Sequence, residues 1–523
     1  MVISFPYTGS LTPLVFVAWV PLLIVEHSIT VAKYRSRKIF LHSYLTFFIY
    51  NLGTTWWIWN ADESGAAMAF IFNSLLMAIA FQLFHFCKKH IGRKEGYIGF
   101  LLIWIGFEYL HFQWELSYPW LTLGNVFSIH PSWVQWYSYT GVLGGSLWIL
   151  SANLLFFRLV ENRFLKKEKW NIQTPYFILI GLMLFIPLSS SLFTYYNYTD
   201  QGKKVEVVIS QPNIDPYNDK FGGLDPKLQL KRMADEVDKK ITPNTSFVLA
   251  PETAIPYNID EAIFKETTPY AYLQSRLKNW GDAVLLIGSS TMKTFDKKRS
   301  RASKKIQSGP GFLEYYNTSV LMDTSGNLGF IHKSKLVLGV EFIPFSHWFP
   351  TIEDLSIDLG GSTGSLGKEK EPMIFAGPDF AFAPSICYES IYGEFIGEQC
   401  KKGAEAIFII TNDGWWGDTP GYKQHASFAR LRAIEHRRCV ARSANTGISC
   451  FINQRGDVLQ KTDWWVQTAL KDRVAMNKTN TFYSVQGDGL GRVFAFTSLL
   501  LILLGIVRKI KPIQKIVKEK GEA

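Results

Sequence analysis

Cysteine is scarce in this chain, with five among 523 residues. None falls in a CxxC pair, and none is joined to a histidine at zinc-ligand spacing. That argues against a structural metal site, and no disulfide framework can be read from the spacings. Charge is also sparse, at 19% of residues. The opening segment "MVISFPYTGSL" has no basic residue, so it does not fit a cleavable signal peptide. Lysine and arginine are missing altogether from 61–64 and 113–139. What the chain has instead is apolar surface: 47% hydrophobic and 15% aromatic residues, with 17 Trp. A chain this long exceeds one ordinary core, and this composition points to a membrane portion.

Apolar runs long enough, or nearly so, to cross a bilayer lie at about 11–25, 40–60, 65–87, 97–112, 140–159 and 175–194, with one more at about 491–507. A span needs roughly 20 apolar residues to cover about 30 Å of hydrocarbon. Basic residues cluster after alternate runs: Lys33, Arg35, Arg37 and Lys38; then Lys88, Lys89, Arg93 and Lys94; then Arg163, Lys166, Lys167 and Lys169. The tail adds Arg508, Lys509, Lys511, Lys515, Lys518 and Lys520. Positive loops stay cytoplasmic, so the segment from about 196 to 490 is expected to face outward. Topology then accounts for much of the net charge of +11, and a nucleic-acid partner loses its main support. Seven spans put the first residue outside, and an eighth span upstream of Met1 is one expectation. Glu108 lies within the fourth run and reads as a carboxyl near the outer interface, a structural seam or part of a lipid headgroup site. "YPWLTLGN", Tyr118 to Asn125, reads as an outer-interface aromatic belt.

From Val205 the pattern changes. "VEVVIS", "SFVLAPET", "AVLLIGSS", "FAFAPSIC", "AEAIFIITND" and "GISCFINQRGDVL" read as strands, and "YNTSVLMDTSGNLGFIHKSKL" as two strands joined by a turn. "PKLQLKRMADEVDKKI" is an amphipathic helix, and "HASFARLRAIEHRRCVARS" reads as another. A basic polar loop occupies 293–309. Alternating strands and helices with added hairpins predict an α/β layered domain, a two-sheet sandwich with outer helices.

Three predicted strand ends carry unusual residues: Glu252, Lys333 and Cys387. Sites in α/β sheets gather at the carboxyl ends of strands. A thiol attacks as thiolate, a carboxylate can take its proton, and an ammonium can steady the tetrahedral oxyanion. The three together suffice for acyl transfer. Singly, each has a plainer reading: a packed core thiol, a helix-start carboxylate and a solvated charge.

The segments "APETAIP", "HKSKLVLGVEFIPF" and "SICYESIYGE" resemble the three signature segments of the nitrilase superfamily. With "GFEYLHFQWELSYPWLTLGN", "TNDGWWGDTPGYKQHASFARLRAIEHRR" and the flanking spans, the chain resembles its membrane-bound branch, the apolipoprotein N-acyltransferase family, over almost its whole length. The resemblance implies a multi-span α-helical membrane bundle at 1–195, an inserted nitrilase-like α-β-β-α two-sheet sandwich at 196–490, and a final span with a basic cytoplasmic tail at 491–523. It makes Glu252 the general base, Lys333 rather than Lys335 the cation, and Cys387 the nucleophile. Glu341 would orient the lysine or the incoming amine. Tyr388 and Glu389 would shape the pocket, and Trp415 and Trp416 would form an apolar wall or lid, with core packing a close second reading. The chain departs from the family pattern at "LVLGVE" in place of the usual "LVPFGE", at Phe221 where tryptophan is common, at His111 in place of an arginine, and at Pro384 in the strand before the nucleophile.

The implied reaction moves an acyl chain from a membrane glycerophospholipid to the α-amine of a diacylglyceryl-cysteine apolipoprotein, by ping-pong through a cysteine thioester. Neither cofactor nor metal is called for. The partners are those two lipids and the bilayer, and the place is a bacterial inner membrane with the catalytic domain in the periplasm. Two alternatives stay open: a membrane-tethered amidase or nitrilase acting on a small amide, and a receptor or transporter whose outer domain only binds ligand.

Overall fold

A computed structural model describes residues 1–307, 309–345 and 365–521, with side chains described up to residue 510 apart from 171 and 172. Ser308 of the basic loop lies outside the described residues, as do the side chains of Lys511, Lys515, Lys518 and Lys520. The chain forms two compact units, one of Met1–Trp56, Ala66–Phe193 and Asp488–Ala523, the other of Trp57–Gly65 and Thr194–Gly487.

The first unit is helical: α1 (Val20–Val31), α2 (Arg37–Thr55), α3 (Glu63–His90), α4 (Arg93–Gln113), α5 (Tyr137–Val160), α6 (Thr174–Asn197) and, at the chain end, Gly489–Gly521. Among the described residues, five helical stretches are long and apolar enough to cross a membrane: Thr12–Val31, Glu63–His90, Tyr137–Leu165, Thr174–Asn197 and Gly489–Ile510. On α6 the side chains of Phe177, Ile178, Phe185, Ile186 and Phe193 stay exposed, which is the surface a lipid-facing helix presents. The expected aromatic belt at Tyr118–Asn125 is instead a packed plug of 3₁₀ turns. Trp120, Leu121, Leu123 and Asn125 are buried. Burial is possible because side chains take up the irregular backbone. Asn125 Nδ2 donates to the carbonyls of Pro119 and Trp120, Tyr137 donates to that of Gly124, and Glu108 accepts from the Leu123 N–H at 2.9 Å and from Trp104 Nε1 at 3.1 Å. Glu108 is thus a structural seam.

The second unit holds two sheets. The first contains β1 (Lys203–Gln211), β2 (Thr245–Leu249), β3 (Ile255–Asp260), β4 (Val284–Phe295), β5 (Lys304–Lys305), β6 (Phe312–Met322), β7 (Leu328–His332) and β14 (Thr468–Met476). Its strand order is β14-β1-β2-β4-β6-β5, with β3 on β4 and β7 on β6. The second contains β8 (Phe375–Ala376), β9 (Ala381–Ile386), β10 (Ala406–Thr411), β11 (Val440–Ala444), β12 (Cys450–Ile452) and β13 (Val458–Lys461), ordered β13-β12-β11-β10-β9-β8. Between the sheets, Val207, Ile209, Phe247, Leu249 and Leu286 pack with Phe382, Ile386, Phe408, Ile410, Ala441 and Phe451. On the outer face of the first sheet, α7 (Pro226–Asp238) and α8 (Thr268–Leu277) bury Leu230, Met233, Val237, Leu273 and Leu277. Helices α9 (Gly393–Lys401) and α10 (Pro420–His436) pack with the second sheet, and the short α11 (Phe482–Gln486) follows β14. This is the expected α-β-β-α two-sheet sandwich.

Two local readings change. The helix expected through "CVARS" ends at His436, because Arg437 takes a left-handed conformation at φ +50°, and Val440–Ala444 becomes a fully buried parallel strand beside β10. Only Val440 of these five residues is β-branched, so pairing with β10 rather than local propensity puts them in the sheet. Pro384 does sit inside β9 yet costs no ladder bond. Its carbonyl accepts from Gln399 Nε2 at 3.0 Å, and the N and O of one strand residue point the same way. Its nitrogen therefore faces away from β10, on the side where β8 pairs only as far as Phe382.

Candidate functional site

The topology gathers five strand ends. Strand β2 runs out at Glu252, β7 at Lys333, β9 at Cys387, β10 at Asn412-Asp413 and β11 at Asn445. The backbone at Glu252 presses so closely on β4 that a Cβ at position 288 would meet the Glu252 Cα at 2.5 Å, which only Gly288 avoids.

Lys333 is fully buried, and its ammonium lies 3.2 Å from Glu252 Oε1 and 2.9 Å from Glu341 Oε1. Asn317 Nδ2 donates to the same two oxygens at 2.7 and 2.9 Å, while the Asn412 N–H donates to Glu252 Oε2 at 3.1 Å. Burial opposes the charge on Lys333, but Glu252, Glu341 and Cys387 outweigh it and hold the ammonium above its usual range. Lys335 is placed elsewhere, over the Tyr392 ring. The turn carrying Glu341 closes through Gly339 at φ +85°, with the Val337 N–H on Glu341 Oε2 at 2.8 Å. The altered "LVLGVE" sequence thus still delivers its glutamate to the lysine.

Cys387 opens a 3₁₀ turn directly after β9 and holds φ at +53°, a strained conformation for a residue with a side chain. Burial and the Glu252 charge push its thiol up, and Lys333 and a hydrogen bond from Thr411 pull it down. Glu389 fastens this turn to the lysine loop: its Oε2 accepts from the Ile386 N–H at 2.8 Å and its Oε1 from the Ser334 and Lys335 N–H groups at 2.6 and 3.2 Å. Burial raises its carboxyl to about 7, against those N–H bonds and Lys333. Tyr388 is nearly buried, edge-on to Tyr392.

Trp415 and Trp416 follow Asp413. Trp415 stacks on Phe221 with centroids 6.3 Å apart and meets Tyr217 edge-on, and the Tyr217 hydroxyl donates to its carbonyl at 2.7 Å. Trp416 packs edge-on against Trp57 and against His425. Phe221, at the position where the resemblance expects tryptophan, still supplies an aromatic face.

Four further residues escaped the sequence reading. Lys220 is buried and donates to the Glu252 carbonyl at 3.0 Å, and burial lowers its ammonium to about 8 against the pull of Glu252 and Cys387. Its only sequence signal is its place before Phe221. Asp413, His425 and Arg442 form a wholly buried chain: His425 Nδ1 lies 2.9 Å from Asp413 Oδ1, and Arg442 Nη2 donates to Asp413 Oδ2 at 2.6 Å. Burial would raise the Asp413 carboxyl, but Arg442 and His425 hold it well below the usual carboxylate range. Ligand atoms of Cys387, Asp413 and His425 lie within 4.8 Å of one another, a spacing a cation could use. Both Asp413 oxygens are already engaged, one by a guanidinium that would repel a cation, so the donor set suits a hydrogen-bonded relay better than a metal. The described cysteines are all unpaired, with Cys400, Cys439 and Cys450 buried.

This geometry bears comparison with known proteins. Residues 1–155 match the apolipoprotein N-acyltransferase N-terminal domain family and residues 227–481 the carbon-nitrogen hydrolase family. An apolipoprotein N-acyltransferase of Chlorobaculum tepidum is 31% identical over 517 residues, covering 97% of this chain and 95% of the relative. One from Geobacter metallireducens is 25% identical, over 93% of this chain and 90% of the relative. One from Haemophilus influenzae is 27% identical, over 82% and 77%.

Proposed function

The chain belongs to the apolipoprotein N-acyltransferase family, and on that premise we propose that it acylates the α-amine of a diacylglyceryl-cysteine apolipoprotein with a chain taken from a membrane glycerophospholipid. The observation that carries this reading is the buried ammonium of Lys333 between Glu252 and Glu341, with Cys387 at the neighbouring strand end.

In the first half-reaction Glu252 takes the Cys387 proton as the sulfur attacks the ester carbonyl. Lys333 faces the negative charge that develops on the carbonyl oxygen. The carbon–oxygen bond breaks, the lysophospholipid oxygen recovers the proton from Glu252, and a thioester remains. In the second, the lipoprotein amine attacks the thioester and gives its proton to Glu252. The carbon–sulfur bond breaks, an amide forms, and the thiolate is released and takes back the proton. Glu341 and Asn317 hold Lys333 in line; Tyr388 and Glu389 shape the turn at the nucleophile. Trp415 and Trp416, with Phe221 and Tyr217, supply an apolar wall that keeps water from the thioester.

The exposed apolar helices of the first unit suit a multi-pass membrane protein. The alternating basic loops favour a bacterial inner membrane, with residues of about 196–490 as the periplasmic catalytic domain between spans at 1–195 and 491–523. The test is to incubate membranes with acyl-labelled phospholipid and no acceptor. Hydroxylamine-labile label on the wild-type chain and none on Cys387→Ala is the expected result. Equal label on both, or no label together with hydrolysis of small amides, would replace this reading by another chemistry.

A further inference from the structure

Taking Glu252 as the base, as in the reading above, we propose that Lys220 is its positioning residue: the lysine grips the Glu252 main-chain carbonyl and so fixes the peptide plane from which the carboxylate is aimed at Cys387.

Beyond the end of β2 the chain still pairs with β4. The Ala250 N–H donates to the Leu286 carbonyl at 2.8 Å, and the Gly288 N–H to the Pro251 carbonyl at 3.1 Å. The chain then turns through Thr253 at φ +48°, a left-handed conformation that a β-branched residue holds only under constraint. The Glu252 carbonyl lies inside this turn, and a buried carbonyl needs a donor. Among the described residues its donor is Lys220, at 3.0 Å. That carbonyl and the Thr253 N–H share one rigid peptide plane, so holding the oxygen fixes ψ of Glu252 and φ of Thr253 together. The same stretch lies against β4, where a Cβ at position 288 would meet the Glu252 Cα and the Thr253 nitrogen, each at 2.5 Å.

Lys220 is itself braced. Its N–H donates to the Asp215 carbonyl at 2.9 Å, and the buried Gln229 of α7 donates through Nε2 to the Lys220 carbonyl at 3.0 Å. The lysine is buried, and the Glu252 carbonyl is its one hydrogen-bond acceptor among the described residues. An amine kept from water with a single acceptor does little for the fold. Charged or neutral, it donates an N–H, so the grip does not depend on its protonation. The carboxylate end of Glu252 is held separately, by Asn317 and Lys333 on Oε1 and by the Asn412 N–H on Oε2. Lys220 thus secures the main chain while the sheets secure the side chain. Glu252 and Cys387 both act on the lysine's charge, so a direct effect on the sulfur is the rival to be separated.

A positioning role acts only through Glu252, and a double-variant cycle reads that dependence. Full-length protein in detergent is mixed with p-nitrophenyl butyrate, an activated ester, and acylation is followed by intact mass with Cys387→Ala as the blank. Lys220→Met keeps the side chain's length and loses its N–H. Its rate at saturating ester is expected to fall about 10–10²-fold, with the half-saturating concentration within about twofold of wild type. In the Glu252→Gln background the same change is expected to slow acylation by no more than about twofold. Equal losses in the two backgrounds, or a folded Lys220→Met at the wild-type rate, would overturn the proposal. Thr253→Gly decides the matter even if Lys220→Met does not fold. Glycine adopts the left-handed turn without strain, and with the carbonyl gripped by Lys220 the rate stays within about threefold of wild type. A fall of about tenfold would make residue 253, rather than the lysine, the group that holds the plane, and would contradict the assignment. No membrane lipid enters this experiment. A chain that reacts with the activated ester but takes no label from phospholipid would lose the acyl-transfer reading and leave this inference standing, whereas a wild type inert to both would lose both.

Discussion

Each unit of the protein buries carboxylates among cations, and the two sets differ in how many partners each carboxylate has. In the helical unit Glu161 is wholly buried, with Arg93, Arg158 at 3.0 Å, Lys166 at 3.9 Å and His27 at 3.2 Å around it. Glu26 is shared by Lys88 and His85. Each glutamate there is met by at least two side-chain nitrogens. In the second unit Lys333 faces both Glu252 and Glu341, while the buried Lys220 reaches only the Glu252 carbonyl. Two carboxylates thus share one direct ion-pair partner beside a thiol. The first arrangement locks helices together, and the second keeps a base in reserve. A buried ion cluster thus speaks for function when its carboxylates share too few ion-pair partners and a reactive atom sits beside them.

Breaking each cluster should therefore fail in a different way. Glu161→Ala strands several cations, and the expected loss is about 3–5 kcal/mol of stability with acyl transfer per folded molecule little changed, as followed by thermal unfolding in detergent and by the label assay. A comparable loss of rate per folded molecule would erase the contrast. Lys333→Met should leave the helical unit intact but slow thioester formation by about 10²–10³-fold, the size expected for removing one donor to an oxyanion. Gly288→Ala sharpens the picture further. Its new Cβ would drive into the Glu252 backbone, with an expected cost of about 1–3 kcal/mol and a matching displacement of the carboxylate, measurable as lower melting temperature together with slower acylation.

The smallest expected effect concerns pH. Glu389 titrates near 7 when folded, against 4.5 as its ordinary value. Between those limits the unfolded chain has released this proton and the folded chain has kept it, so this group's contribution to stability falls as pH rises from about 4.5 to about 7. Glu389→Gln cannot titrate. The wild type's advantage in melting temperature over this variant should shrink between pH 5 and pH 7.5, and a gap that widens would reverse the sign assigned to the carboxyl.

How much of this was readable beforehand follows the range of the interactions. Apolar runs announce helices because each residue's own character decides burial in lipid; a helix overlaps each of the seven runs, but the first begins only at Val20, and Arg37–Thr55 and Arg93–Gln113 are not among the stretches long and apolar enough to span. The strand ends at Glu252, Lys333 and Cys387 were legible because short β-branched runs stop at residues of the wrong polarity. The segment after His436 misled, since its helical pattern continues through "CVARS" and only the parallel partner β10 draws those residues into a sheet. The plug at Tyr118–Asn125 misled for a similar reason: its burial depends on Glu108 and Tyr137, which are remote in sequence. Lys220, Asp413, His425 and Arg442 were invisible as a group because partners 12 to 32 residues apart leave no local period.

The central claim is that Glu252 is the carboxylate that takes the Cys387 proton. The most direct measurement is the rate at which purified Glu252→Gln forms the thioester from phospholipid, read by intact mass beside the wild type. The account predicts a fall of about 10²–10⁴-fold in protein that melts like the wild type. A Glu252→Gln protein that acylates Cys387 at the wild-type rate would contradict it.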